Sequence, residues 1–241
     1  MAAANIPHGG NILLTGADAE HAKVLRLKVG DRLVICDGEG TDRNCTVVRI
    51  SEKGLYACVD ETVPNEAEPD LRCTVFAGLP KQGERADYVV QKSTECGAAE
   101  IVFFISRRTV AVPSASAVSN RLTRWNRIAE AAAKQSGRGI IPRVSFLGSF
   151  PEMLDAAIKT ELPLFFYETG DRTPLRKVLE GRGKLSSVAL ITGPEGGFEA
   201  YEADMARKIG FSVCSMGPRI FRCETAPVAA LCALMYASGN F

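Results

Sequence analysis

Val188-Ala189-Leu190-Ile191-Thr192-Gly193-Pro194-Glu195-Gly196-Gly197-Phe198 is the stretch that decides how the chain is built. An apolar, β-branched run stops at three glycines and a proline, and a helical pattern over 199–209 follows. A short continuous apolar run bounded by turn residues reads as a strand buried on both faces. Strand, glycine turn and helix in succession are the ingredients of a parallel crossover unit.

The same punctuation recurs downstream. Ser212–Met216 predicts a strand, Gly217-Pro218-Arg219-Ile220-Phe221-Arg222-Cys223-Glu224 a loop, and 226–238 an apolar helix with Thr225 as N-cap and Pro227 in its first turn. Upstream, strands are expected at Cys73–Gly78, Ile101–Ser106 and Leu164–Tyr167, with helices at 84–96, 121–136, 150–160 and 174–180. Leu122, Trp125, Ile128, Ala129 and Ala132 recur at helical spacing, which puts Trp125 in the core, and Gly137 closes that helix. Strand–helix alternation predicts an α/β domain over 71–241, its parallel sheet covered on both faces.

Residues 1–66 follow another pattern. Asn11–Thr15, Arg32–Cys36, Cys45–Ile50 and Tyr56–Val59 read as short strands, with one helix at Ala19–Leu27 and turns at Asp37–Gly40 and Lys53-Gly54. This is the pattern of a small β-barrel-like domain. Val63–Asp70 is polar, holds two prolines and lacks periodicity, so the linker is placed there.

With 241 residues, 46% hydrophobic and 24% charged, the chain can bury a core without metal or disulfide staples, which excludes disordered, collagenous and coiled-coil classes. The 29 Lys and Arg nearly balance 28 Asp and Glu. The distribution is uneven: 81–143 holds eleven basic and five acidic residues, 1–70 seven and twelve. A basic middle points to a polyanion partner or to a solvated surface. Eight cysteines without a Cys-x-x-Cys pair read as reduced core residues of a cytoplasmic protein. The longest apolar run, Ala226–Ala237, is too short to span a bilayer, and no basic-then-apolar leader opens the chain. Only His8 and His21 exist, so metal-hydrolase spacing is absent and no metal is expected. The run at 178–186 lacks the first glycine and the hydroxyl of a phosphate loop, and 38–43 lacks the third glycine of a dinucleotide loop.

The two loops carry the chemistry. Both are placed at carboxyl ends of strands, where open α/β sheets build ligand sites. Gly193, Gly196 and Gly197 let backbone groups approach a flat, neutral nucleobase. Taken alone, a glycine pair reads first as a tight strand–helix turn. Arg219, Arg222 and Glu224 beside Ile220 and Phe221 tip the balance toward a site, against the alternative of a surface ion pair.

At these residues the sequence resembles the RsmE family of ribosomal RNA methyltransferases, within the trefoil-knotted SPOUT superfamily. GPEGGF at 193–198 and PRIFRCETA at 218–226 are similar to the family signature. HAKVLRLKVGD at 21–31, Lys81 with QKSTECGAAEI at 91–101, and RWNRIAEAAAKQSGRGIIPRV at 124–144 resemble further family stretches in the same order.

The resemblance implies a PUA-like barrel that assists RNA binding and a knotted domain that binds S-adenosylmethionine and works as a homodimer. It implies methyl transfer to N3 of one uridine of 16S rRNA in the assembled small subunit. Cofactor contacts then fall to Tyr167, Glu168, Thr192, Gly193, Glu195, Gly196, Met216, Gly217, Ile220, Phe221 and Arg222. Arg219 and Arg222 are candidates to stabilise a uridine anion or anchor phosphate; Glu195 and Glu224 are candidates for the base or for orienting an arginine. RNA contacts draw on Arg26, Lys81, Arg107, Arg108, Arg127, Lys134, Gln135, Arg138 and Arg143. The opening MAAANIPHGG departs from the family's basic, aromatic first strand, so one barrel strand and an RNA contact are expected to be missing. Phe221 and Cys223 replace a commoner Leu and Thr at similar size, and Glu199 stands where a small residue commonly caps the next helix. Two alternatives remain: a relative acting on another rRNA or tRNA nucleotide, and a catalytically silent RNA-binding assembly factor.

Overall fold

A computed structural model describes residues 8–241, so the expectation about the opening strand falls outside the described residues. The described chain divides into two compact units. One takes in the residues up to Glu68 together with Gly137–Ile140; the other holds Pro69–Ser136 and Ile141–Phe241.

In the first unit, β1 (Asn11–Leu14), β2 (Arg32–Cys36), β3 (Thr41–Ser51) and β4 (Gly54–Pro64) form an antiparallel sheet of order β1-β4-β3-β2, accompanied by α1 (Gly16–Val24). Alternation along β3 and β4 turns Cys45, Val47, Leu55, Ala57 and Val59 inward against Ile12 and Ala22. The expected linker is shortened, because Val63 and Pro64 still pair with Asp42 and Thr41. Proline is tolerated at that strand end, where no further ladder donor is required. Gly137–Ile140 join this unit through definite bonds. The Gly40 N–H donates to the Gly139 carbonyl (2.8 Å), and Asn65 Nδ2 to the Gly137 carbonyl (3.1 Å). Cys36 is exposed, not a core residue, and all eight thiols are free.

The second unit runs β5 (Arg72–Gly78), α2 (Gly83–Glu95), β6 (Glu100–Phe104), α3 (Ala115–Ser136), β7 (Arg143–Leu147), α4 (Phe150–Ala157), β8 (Leu162–Phe166), β9 (Thr173–Pro174), α5 (Leu175–Leu179), β10 (Ser187–Thr192), α6 (Ala200–Lys208), β11 (Ser212–Ser215) and α7 (Thr225–Ala237). Every pairing in its seven-stranded sheet, ordered β7-β6-β5-β10-β8-β11-β9, is parallel. One core lies on each face. Trp125, Phe103 and Leu231 belong to one; Phe104, Phe165 and Phe198 belong to the other. The last strands are not added in chain order: β10 fills the place between β5 and β8, and β11 lies beyond β8.

Several boundaries differ from the sequence reading. α3 begins at Ala115, six residues early, because the Ser114 hydroxyl accepts from the Ala117 N–H and caps the turn. α7 starts at Thr225, with Glu224 and not Thr225 as its N-cap. β7 was not expected; it is an edge strand beside β6. Glu199 does not leave α6 poorly capped: its N–H donates to Glu202 Oε2 (2.9 Å), the reciprocal half of a capping box.

Candidate functional site

Because the strands are parallel, the loops after β10 and β11 leave the same edge of the sheet. Phe198 fixes the end of the first loop: it is 1% exposed and its ring lies 4.3 Å from that of Phe165. Glycine is required within it. Gly197 has φ +66°, and a Cβ there would run into the Glu168 carboxylate; a Cβ on Gly193 would lie 3.0 Å from the Gly197 backbone. In the second loop Gly217 has φ +104°.

Between the loops lies a cleft of about 360 Å³. Tyr167, Glu168, Thr192, Gly193, Glu195, Met216, Gly217, Arg219, Ile220, Phe221 and Arg222 all line it, as do Arg85 and Arg172, which the sequence reading passed over. Its floor holds an unmet group: Thr192 is 2% exposed, and its Oγ1 has no hydrogen-bond partner. A buried hydroxyl left unpaired is costly, and in a cleft it marks where a ligand's polar atom belongs. At the rim, Arg219 and Arg222 are exposed, and neither side chain has an ion-pair or hydrogen-bond partner among the described residues.

Two expected site residues lie elsewhere. Gly196 does not line the cleft; its carbonyl accepts from Arg108 Nη1 (2.8 Å), and a Cβ there would meet the Arg108 side chain. Glu224 also stands behind the lining. Its carboxylate accepts from the Cys223 thiol (3.2 Å) and faces Arg85 (3.8 Å). Burial raises the Glu224 carboxyl, but hydrogen bonds from its own backbone N–H and Cys223, with the charges of Arg85 and Arg222, outweigh it and hold the group below its ordinary value. Burial, then the bond to Glu224 and the charge of Glu195, pushes the Cys223 thiol up to about 12. Glu195 lines the cleft, yet its carboxylate is held by the Lys81 N–H (3.0 Å) and Arg85 Nη1 (3.1 Å). Neither glutamate stands as a free proton acceptor.

The expected RNA contacts separate into two groups. Arg26, Lys81, Arg107, Arg127, Gln135 and Arg143 are exposed, and Arg26 holds a left-handed backbone (φ 57°). Arg108 is engaged by Glu199 through Nε (2.9 Å) and Nη2 (3.2 Å), and Lys134 by Glu130 (3.0 Å). Arg138 corrects the sequence reading: its side chain is 4% exposed and bound to Glu68 (2.7 Å), so it is an internal tie of the first unit and not a phosphate contact. These partners lie 91 and 70 residues away in sequence, beyond any local signal.

A parallel sheet with a nucleoside-sized glycine-walled cleft at its carboxyl edge, plus a separate antiparallel unit, defines the class, and comparison with known families agrees. The RNA methyltransferase domain model matches residues 67–235, and the RNA methyltransferase PUA domain model matches 14–58. The Ribosomal RNA small subunit methyltransferase E of Bacillus subtilis is 30% identical over 228 residues, covering 92% of this chain and 89% of that protein. The chain belongs to this RsmE family of RNA methyltransferases. Its fold matches the crystal structure of the Neisseria gonorrhoeae Ribosomal RNA small subunit methyltransferase E bound to S-adenosyl methionine, with TM-score 0.82, 28% identity, and 97% and 94% of the two chains covered. A Legionella pneumophila methyltransferase in complex with its bound cofactor SAM gives TM-score 0.83 at 27% identity, covering 97% and 95%.

Proposed function

We propose that this chain methylates N3 of a single uridine of 16S rRNA in the small ribosomal subunit, with S-adenosylmethionine as donor. The observation that carries the reading is the orphaned Thr192 hydroxyl on the floor of a glycine-walled cleft whose rim holds two unpaired arginines. The residues fit that ligand. Gly193, Gly197 and Gly217 put bare backbone along the cleft wall, Thr192 Oγ1 offers a hydrogen bond, and Glu168, seated against Gly197, supplies negative charge for a cationic ligand. Bound there, S-adenosylmethionine supplies an electrophilic methyl group on a positive sulfur.

The protein's own task is to make uridine N3 a nucleophile. With Glu195 and Glu224 committed to ion pairs, the help comes from cations: Arg219 and Arg222, placed near the uracil oxygens, stabilise the anion as the N3 proton leaves to solvent. The target base leaves its stack to reach the cleft. Arg26, Lys81, Arg107, Arg127, Gln135 and Arg143 are the exposed residues available to the RNA backbone. The family's trefoil threading is supported by the insertion of β10 between β5 and β8. The homodimer is supported by α7, whose thirteen residues carry no charge while Ala233 and Tyr236 face outward.

Calorimetric titration with S-adenosylmethionine and methyl transfer to undermethylated small subunits test the reading together. Binding and transfer to the subunit are expected. Absence of cofactor binding favours the silent assembly factor, and transfer to naked tRNA favours a different substrate.

A further inference from the structure

Arg85 lines the cleft but comes from neither of the two loops. It stands in the first turn of α2 (Gly83–Glu95), and it is 25% exposed. Its Nη1 donates to Glu195 Oε1 of the first loop at 3.1 Å, while its Nε lies 3.8 Å from Glu224 Oε2 of the second. Both carboxylates are as enclosed as the arginine, at 24% and 23% exposure. Each is also braced by a second donor: the Lys81 N–H on Glu195, and the Cys223 thiol on Glu224.

One planar guanidinium thus reaches two loops that are 29 residues apart, reckoned from Glu195 to Glu224. Their separation sets the width of the cleft. A guanidinium presents distinct edges to two carboxylates at once, which a lysine ammonium on a flexible stem cannot reproduce. Without this cation, two carboxylates would stand close together at the cleft wall and repel each other.

We infer that Arg85 is a positioning residue of the cleft: by joining Glu195 to Glu224 it sets the spacing of the two loops for the cofactor and keeps both glutamates in ion pairs. The inference rests on the reading of this cleft as the S-adenosylmethionine site. It predicts a specific division of labour, in which Arg85 governs cofactor affinity while Arg219 and Arg222 govern turnover.

The test uses the full-length protein and S-adenosylmethionine itself. In Arg85→Ala the Kd and the cofactor KM should rise about tenfold, with kcat changed far less, as expected for loss of a charge-assisted tie that orders a site. Arg85→Lys should recover only part of the affinity. In a Glu195→Gln/Glu224→Gln background, Arg85→Ala should have little further effect, because the tie is already gone. Amide exchange over 194–198 and 218–224 should quicken in Arg85→Ala without any ligand present. If Arg85→Ala does not fold, Arg85→Gln is read in its place, since it retains the stem and removes the charge. Unaltered affinity and exchange in either variant overturn the inference alone, as does an effect of equal size in the double-glutamine background. A native chain that fails to bind S-adenosylmethionine overturns the reading of the cleft, and the inference with it.

Discussion

Thr192 shows how much one atom can say about a site. Its hydroxyl is buried and unpaired, an arrangement a folded chain keeps when a ligand completes it. Thr192→Val should therefore raise the S-adenosylmethionine Kd about fivefold, the worth of one ordinary hydrogen bond, while leaving the melting temperature unchanged or higher. Calorimetry and thermal unfolding on the same sample check both halves; equal affinity would mean the ligand does not reach this hydroxyl. The glycines of the first loop divide by what faces them. A Cβ on Gly197 enters the Glu168 carboxylate inside the cleft, whereas a Cβ on Gly196 lies 3.0 Å from the Arg108 Cβ outside it. Gly197→Ala should abolish cofactor binding, and Gly196→Ala should lower stability with cofactor affinity retained. Identical losses of affinity in both would contradict this division.

Elements were legible where hydrophobic pattern decides them and illegible where distant partners do. The buried runs of β5, β8 and β10 read directly as strands because both faces of a parallel sheet are apolar. β7 escaped because Arg143-Val144-Ser145-Phe146-Leu147 mixes an exposed arginine with half-buried positions, as an edge strand does. The start of α3 escaped because 115–120 is mostly exposed and shows no apolar stripe. Site residues followed the same rule. The glycines and arginines of the two loops stood out locally, while Arg85, Arg108 and Arg138 take their roles from carboxylates 110, 91 and 70 residues away. Each pairing has its own consequence. Arg108 holds the Glu199 carboxyl below its ordinary 4.5, so its contribution is complete above that pH and is lost as pH falls through the lowered native value. The melting temperature of Glu199→Gln should accordingly lie below that of the native chain at neutral pH and meet it on acidification; a gap independent of pH would contradict the assignment. Arg138→Ala removes the charge partner of the Glu68 carboxylate, which is 16% exposed and keeps the Ile140 N–H (2.9 Å), and should cost about 3 kcal/mol of first-unit stability by chemical denaturation. It should leave the salt dependence of RNA binding unaltered, and a shallower salt slope would restore Arg138 as a phosphate contact.

At the scale of the molecule, family membership rests on matches that run through most of the chain, and function rests on what the second unit assembles at one sheet edge. No helix among the described residues is long and apolar enough to cross a membrane. The uncharged α7 calls for a covering surface, and a second copy of the chain is the proposed cover. Tyr236→Glu, at a position 79% exposed, should convert a dimer to a monomer by light scattering, with the fold intact by circular dichroism. A native chain that is already monomeric would contradict the proposal. The central claim, that the cleft delivers a methyl group to one ribosomal uridine, is tested most directly by mapping the product. Small subunits lacking the modification, incubated with the protein and deuterated-methyl S-adenosylmethionine, are digested and sequenced by mass spectrometry. One labelled nucleotide is expected in 16S rRNA, a uridine carrying the methyl group on N3. Label on a ribose, on another base or on no nucleotide would contradict it.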